Sequence, residues 1–330
     1  MKMKKSKVLL AGLATAALAL TGCSSNGGGE GDGEGTGEGG DISIALVSKG
    51  FQHQFWQSVK QGAEEEAEAQ GVSITFDGPA AETQVDSQLQ MLQTAIDNRP
   101  DAIGYAALDP KACIPLFEQA KAADIPVVQF DAACESDYGN YLAATDGVAA
   151  GAVAAEHMAE AIGGEGKVGI VGHSQINSTG VERRDGFVEY LEENFPDIEI
   201  VDIQYGDGDH LKSADIAKAM LSAHPDLAGL YGTNEGSAIG IVNAANELGL
   251  EQGKVAIVGF DSGSAQIEAI KNGDMLGAVT QDPKSIGKIT VQSALALING
   301  EEVEEFTDTG SFWYDAENID SEEIQAMIYE

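Results

Sequence analysis

Basic residues are scarce in this chain. Eighteen Lys and Arg stand against 54 Asp and Glu, a formal net charge of −36. A surface of that sign repels backbone phosphates, which excludes nucleic acid as a partner. Histidine is scarce too. The five present show no metal-ligand spacing, and Asp207-Gly208-Asp209-His210 reads as carboxylates in a solvated glycine turn rather than a cation site. No glycine-rich loop is followed by the Lys-Ser/Thr of a phosphate cradle. The sequence therefore implies no metal and no cofactor. Past the first apolar run, no segment is long enough to cross a bilayer, so a transport pore would have to belong to another protein. Cysteines number three: Cys23, Cys113 and Cys134.

What is present begins with a leader. Lys2, Lys4, Lys5 and Lys7 precede an apolar run, Val8 to Leu20, that is too short to span as a mature helix. The run ends in Leu20-Thr21-Gly22-Cys23, which resembles a bacterial lipobox, so residues 1–22 are expected to be a signal peptide and Cys23 the lipidated N-terminus. Residues 23–40 are almost only Gly, Ser, Asp and Glu, and they read as a flexible tether because they can bury little apolar surface. The expected location is outside the cytoplasm, lipid-anchored to the cell membrane. Loss of the leader removes four lysines and no acid, taking the net charge to about −40, which favours solubility.

From there the chain repeats itself. Ile42 to Ser48 opens one half and Val168 to Gly172 the other. Pro100-Asp101-Ala102-Ile103-Gly104-Tyr105 is answered by Pro225-Asp226-Leu227-Ala228-Gly229-Leu230-Tyr231, and Ile125 to Asp131 by Val255 to Asp261. Each apolar run is short, β-branched and followed by a polar turn and a helical pattern, as in a βα unit of a buried parallel sheet. The pattern predicts strands near 42–48, 72–76, 101–107, 125–130, 141–144, 167–171, 199–203, 227–231, 255–259 and 276–280, then a helix over 286–298 and an extended stretch over 306–314. The fold class is α/β: two doubly wound Rossmann-like lobes, one of 41–145 plus 283–309 and one of 146–282 plus 310–330, joined by several crossings that allow a hinge. Cys113 and Cys134 each follow a strand of the first lobe. A disulfide and a pair of small buried thiols both fit that placement.

In doubly wound sheets, ligands bind beyond the carboxyl ends of the strands, so two facing lobes make a clamp for a small molecule. The strand ends carry Phe55 and Trp56, Asp131, Arg183, Asn234, Asp261 and Gln281. Aromatic faces suit the C–H side of a sugar ring, and planar bidentate groups suit adjacent hydroxyls. Each residue also has a structural reading: Phe55 as core, Arg183 paired with surface acids, Asp131 and Asp261 as helix caps. Gly172-His173-Ser174-Gln175 imitates the nucleophile elbow of α/β-hydrolases, but Ile176 stands where that motif needs glycine. The chain is not expected to be an enzyme.

Over nearly all of 41–330 the sequence resembles the ribose-type periplasmic sugar-binding proteins of ABC importers. The resemblance rests on Phe55-Trp56 after the first strand, Phe130-Asp131, Arg183 with Gly186-Phe187, Asn234 in Gly232-Thr233-Asn234-Glu235, Val258-Gly259-Phe260-Asp261, and Gln281 before Asp282-Pro283. It implies a type I binding-protein fold with a three-strand hinge. It also implies a monomer that holds a monosaccharide between its lobes and delivers it to permease subunits in the membrane. The implied ligand-binding residues are Lys49, His53, Phe55, Trp56, Asp131, Arg183, Asn234, Phe260, Asp261 and Gln281. Lys49, the Asp77-Gly78-Pro79 turn and the cysteine placement also resemble receptors of the same fold that bind a furanosyl form of autoinducer 2, but those lack the Arg183 and Asn234 equivalents. Two cations, Lys49 and Arg183, facing Asp131 and Asp261 would make a roughly neutral site that suits a neutral sugar and also tolerates a sugar acid at Lys49.

Overall fold

The computed structural model describes residues 42–329. The leader, Cys23 and the tether lie outside the described residues. The elements run β1 (Ser43–Val47), α1 (Gln54–Gln70), β2 (Ser73–Asp77), α2 (Val85–Asn98), β3 (Ala102–Tyr105), α3 (Ile114–Ala122), β4 (Val127–Phe130) and β5 (Leu142–Ala144). They continue with α4 (Gly147–Ile162), β6 (Gly166–Gly172), α5 (Ser178–Asn194), β7 (Ile198–Tyr205), α6 (His210–Ala223), β8 (Leu227–Gly232), α7 (Glu235–Glu247), β9 (Ala256–Phe260), α8 (Ser264–Asn272) and β10 (Gly277–Gln281). The chain closes with α9 (Pro283–Ile298), β11 (Phe306–Asp308), β12 (Ser311–Asp315) and α10 (Glu322–Met327).

Two six-stranded sheets result, β11-β5-β4-β3-β1-β2 and β12-β10-β9-β8-β6-β7. Their orders correspond strand for strand, so the sequence repeat is a repeat of topology. β12 runs antiparallel to β10, and the other pairings are parallel. Parallel strands covered on both faces must be apolar throughout. β3 and β4 are accordingly buried at every residue, as is β10, whereas the sheet-edge strand β2 alternates between exposed and half-buried.

Helices cover both faces of each sheet, and the repeat extends to their packing. α1 lies against α9 where a Cβ on Gly62 would strike the Lys284 backbone, and one on Gly287 the Val59 backbone. In the second lobe α4 meets α5 through Gly151 and Gly186 in the same manner, against the backbones of Arg183 and Val148. Backbone-to-backbone approach at these points lets each helix pair lie close to its sheet.

Three crossings link the lobes: β5 to α4, β10 to α9, and β11 to β12. The first and last are tied together, since Thr145 Oγ1 donates to Gly310 O (3.1 Å) and Asp146 N donates to Asp308 Oδ1 (3.1 Å). The C-terminal segment does not stay with one lobe. Ile319 and Ile324 pack into the second lobe's core, but Tyr329 is buried with Phe55, Trp56, Val59 and Ile286 of the first. Its hydroxyl accepts from Ser262 N of the second lobe at 3.2 Å. Cys113 and Cys134 are joined in a disulfide that ties the segments after β3 and β4. Among the described residues, no helix is long and apolar enough to cross a membrane.

Candidate functional site

The carboxyl ends of both sheets face one chamber of about 20 Å³. That is far below the ~300–1,000 Å³ of pockets that hold drug-sized ligands, as lobes drawn together would leave it. Its lining is Lys49, His53, Phe55, Trp56, Glu82 and Asp131 from the first lobe, with His173, Arg183, Asn234, Asp261 and Gln281 from the second. A larger groove, about 600 Å³, lies over β1, β2 and α2, but Asp77 is its one ionisable lining residue. The convergence of charged groups marks the smaller chamber as the site.

Lys49 and Asp131 follow β1 and β4. Lys49 Nζ lies 2.9 Å from Asp131 Oδ2, with both side chains buried. It also donates to Thr179 Oγ1 across the cleft (3.1 Å) and stands 5.6 Å from the centre of the Trp56 ring. Asp131 Oδ2 nevertheless accepts no hydrogen bond, so the lysine contact is an ion pair off the hydrogen-bond axis. Burial pushes the Asp131 carboxyl up from its ordinary range, while Lys49 and Arg183 pull it back.

Asp261 holds the equivalent place after β9. Both aspartates sit in the left-handed region, φ 59° and 77°, which Asp tolerates better than bulkier residues. Each donates its backbone N–H to the next strand of its sheet, Asp131 to Ala143 O and Asp261 to Val279 O. Neither caps a helix. Their side chains differ: Asp261 Oδ1 accepts from Gln281 Nε2 (2.6 Å) and Oδ2 from Glu235 N (3.0 Å).

Arg183 projects from the second turn of α5 and is 4% exposed. Its guanidinium lies 3.8 Å from the centre of the Phe260 ring, donates to Thr233 O (3.1 Å) and reaches within 4.0 Å of Asp261 Oδ2. Nine of the ten residues expected from the sequence line the chamber. Phe260 does not; fully buried, it acts as the shelf on which the arginine lies flat.

The protonation of His53 follows from its neighbours. Gln52 Oε1 accepts from Glu82 N, which turns Gln52 Nε2 toward His53 Nε2 at 2.9 Å. Asn234 Oδ1 caps α7 by accepting from Ser237 N, which turns its Nδ2 toward the same ring nitrogen at 3.5 Å. With two amide donors facing it, Nε2 accepts and the ring carries its proton on Nδ1. That Nδ1 is buried without a partner.

Sequence reasoning missed Glu82 and gave His173 no binding role. Glu82 precedes α2 and accepts from Trp56 Nε1 at 2.8 Å. Burial raises its pKa, but Lys49, the Trp56 N–H and Arg183 prevail and hold the carboxyl below its ordinary value. It lies in an irregular loop, where no periodicity marks an inward-facing side chain. His173 follows β6 and is bonded to Thr233 Oγ1 (2.8 Å) and Thr179 Oγ1 (3.2 Å). Burial, then Arg183 and Lys49, hold its pKa well below the ordinary imidazole value, so it is neutral. The repeat could have revealed it, since β6 corresponds to β1 and His173 to the Ser48-Lys49 junction. Ser174 beside it faces its own loop, accepting from Ile176 N and Asn177 N at 3.2 Å each. It is not among the chamber's lining residues.

The rim of the chamber is bridged between lobes. Gln54 Oε1 accepts from Ser264 N (2.7 Å), and Ser178 Oγ accepts from Ala133 N (3.1 Å). These contacts define a closed arrangement. Two halves with their strand ends on one charge-lined chamber form the architecture of a solute clamp, and residues 44–302 match the model of the periplasmic binding protein domain. The chain belongs to this family. A ribose import binding protein of Bacillus subtilis is 27% identical over 308 residues, covering 92% of this chain and 96% of that protein. A D-allose-binding periplasmic protein of Escherichia coli is 30% identical over 251 residues, 74% of this chain and 80% of that one. Among solved structures, an ABC transporter solute-binding protein from Agrobacterium vitis with bound D-fucose superposes with a TM-score of 0.83 at 34% identity, covering 87% of this chain and 100% of that one. A carbohydrate transporter solute-binding protein from Agrobacterium radiobacter in complex with D-arabinose gives 0.84 at 29%, covering 88% and 99%.

Proposed function

We propose that this periplasmic binding protein captures a monosaccharide between its lobes and presents the closed form to an ABC importer. One observation carries the reading. Asp131 holds a buried carboxylate whose Oδ2 has the Lys49 ammonium at 2.9 Å but accepts no aligned hydrogen bond, inside the chamber where the strand ends of both lobes meet. A buried acceptor short of hydrogen bonds is costly, and two adjacent sugar hydroxyls would supply them. Lys49, His53 Nδ1 and Arg183 are donors for the remaining ring oxygens. Phe55 and Trp56 offer apolar faces, and Asn234, Asp261 and Gln281 complete the polar lining. The sugars bound by the relatives, among them D-arabinose, D-fucose and D-allose, are of the chemistry this lining suits.

A pentose has about ten non-hydrogen atoms, and at the ligand-efficiency ceiling of about −1.5 kcal/mol per atom, micromolar binding lies within reach. A thermal-shift screen of pentoses, hexoses, polyols and furanosyl autoinducer 2, followed by calorimetry, tests the reading. One neutral monosaccharide is expected to raise the melting temperature and bind at micromolar or tighter Kd. A response to the furanosyl signal alone would replace import of a sugar with sensing of a signal. Tethering through lipid on Cys23 is part of the same proposal. Cys23→Ala should release the protein from the membrane fraction or leave the leader uncleaved, and normal processing and retention would refute the anchor.

A further inference from the structure

The chamber holds more negative charge than its aspartates alone supply. Glu82 adds a third carboxylate to Asp131 and Asp261, against Lys49 and Arg183. His173 is neutral, and His53 turns Nε2 to two amide donors. The cations are also committed. Lys49 is held by Asp131 and Thr179, and Arg183 by Thr233 O and the Phe260 ring, with Asp261 4.0 Å away. Each cation is thus already charge-paired with an aspartate, Lys49 with Asp131 and Arg183 with Asp261, which leaves Glu82 as the carboxylate in excess. Glu82 stands at the mouth as well, for it lines both the chamber and the adjoining gap between the lobes. Its backbone N–H is held by Gln52 and its Oε1 by Trp56, so the carboxylate is fixed in that position.

We infer that Glu82 is a specificity-determining residue that restricts the chamber to uncharged sugars and refuses sugars bearing a carboxylate or phosphate. This rests on the sugar-capture reading and narrows it, since Lys49 without Glu82 would have accepted a sugar acid. The physical basis is that like charges brought together in a desolvated site repel strongly. A ligand ammonium, by contrast, would be tolerated.

The test compares ligands matched in size: D-galactose with D-galacturonate, and D-glucose with D-glucuronate, alongside D-fucose and D-arabinose. Calorimetry on the wild-type protein should show each acid binding at least about 100-fold more weakly than its neutral partner, roughly two decades of Kd. Glu82→Gln keeps an acceptor for the Trp56 N–H and should narrow that gap at least about tenfold, with a salt-dependent gain for the acid. An acid that binds wild type within tenfold of its neutral partner overturns the proposal, with no need of the variant. So does a folded Glu82→Gln protein, checked by its melting temperature, that retains the neutral sugar and discriminates as before. Failure of every neutral sugar to bind wild type would instead bring down the sugar-capture reading, and this inference with it.

Discussion

The two walls of the chamber are built from equivalent strand ends, yet they are wired differently. On the first lobe, Asp131 meets one lysine, and its Oδ2 accepts no hydrogen bond. On the second, Asp261 has both oxygens occupied, by Gln281 and by the Glu235 backbone, and Arg183 is stacked and anchored nearby. One backbone position, repeated with the same left-handed φ, thus serves two roles. One aspartate is kept available for a ligand, while the other is spent on fixing its neighbours. The difference lies in what surrounds each: Gln281 and the start of α7 reach Asp261, whereas the lining residues near Asp131 are Lys49 and the aromatic pair. Pre-organisation on one wall and unsatisfied capacity on the other is an economical division for a site that must both orient a sugar and reward its arrival.

The largest effect separating the lobes concerns stability. The first carries the Cys113–Cys134 cross-link, with 21 residues of separation. Loop-closure entropy for that span is worth about 3 kcal/mol. Reduction should loosen hydrogen-exchange protection in the first lobe and leave β6 to β10 unchanged. Alkylation of native exported protein without reductant should label neither cysteine, and two labelled thiols would show that the bond does not form there.

Next in size is Asp131→Ala. It should weaken sugar binding by at least ~2–3 kcal/mol, because charge-assisted bonds to hydroxyls are lost in a closed site. The melting temperature of the free protein should barely move, since open lobes let Lys49 hydrate. Calorimetry and a thermal melt read the two quantities separately, and unchanged affinity would remove Asp131 from the site. Asp261→Asn should break the symmetry. Binding and unliganded stability should both fall, each by about 1–3 kcal/mol, because Gln281, the Glu235 N–H and Arg183 lose a charged acceptor together. Equal behaviour of the two variants would erase the distinction drawn between the walls.

The smallest effect is a pH dependence on the second wall. Burial, and then the charge of Asp261, push the Glu235 carboxyl from its ordinary 4.5 up to about 8, although the backbone N–H groups of Gln54 and Phe55 across the cleft partly stabilise its charged form. A raised carboxyl means that the folded protein binds a proton the unfolded chain has released. Its contribution to stability is therefore complete below pH 4.5 and declines as pH rises toward 8. Melting temperature should fall across that window, and Glu235→Gln should flatten the slope. A slope unchanged in the variant would assign it to other groups.

Much of this was legible in the chain. Among the described residues, all twelve strands fall within or beside the segments that β-branched runs and the internal repeat predict, with β11 inside the expected extended stretch 306–314 and β12 passing its end by one residue. Strand ends in a parallel sheet face a ligand by geometry, which is why the aspartates, Asn234 and Gln281 could be located from sequence. What escaped lies where no period operates. Glu82 sits in an irregular loop, and Tyr329 returns to the first lobe from a tail, 310–330, expected to belong to the second. Phe260 was identified as part of the site, but its position beneath Arg183 depends on packing between neighbouring elements that residue spacing does not encode.

The bridged rim has a kinetic consequence. If Gln54–Ser264, Ala133–Ser178 and Lys49–Thr179 must part before a bound sugar can leave, opening of the lobes governs its release. Its escape rate is then the rate at which the lobes part, not the rate at which its own bonds break. Residence time becomes a property of the protein rather than of the sugar. Two sugars of different affinity should accordingly leave on a similar clock and differ mainly in how often capture succeeds. A membrane partner that pries the lobes apart would shorten that clock without touching a single ligand contact.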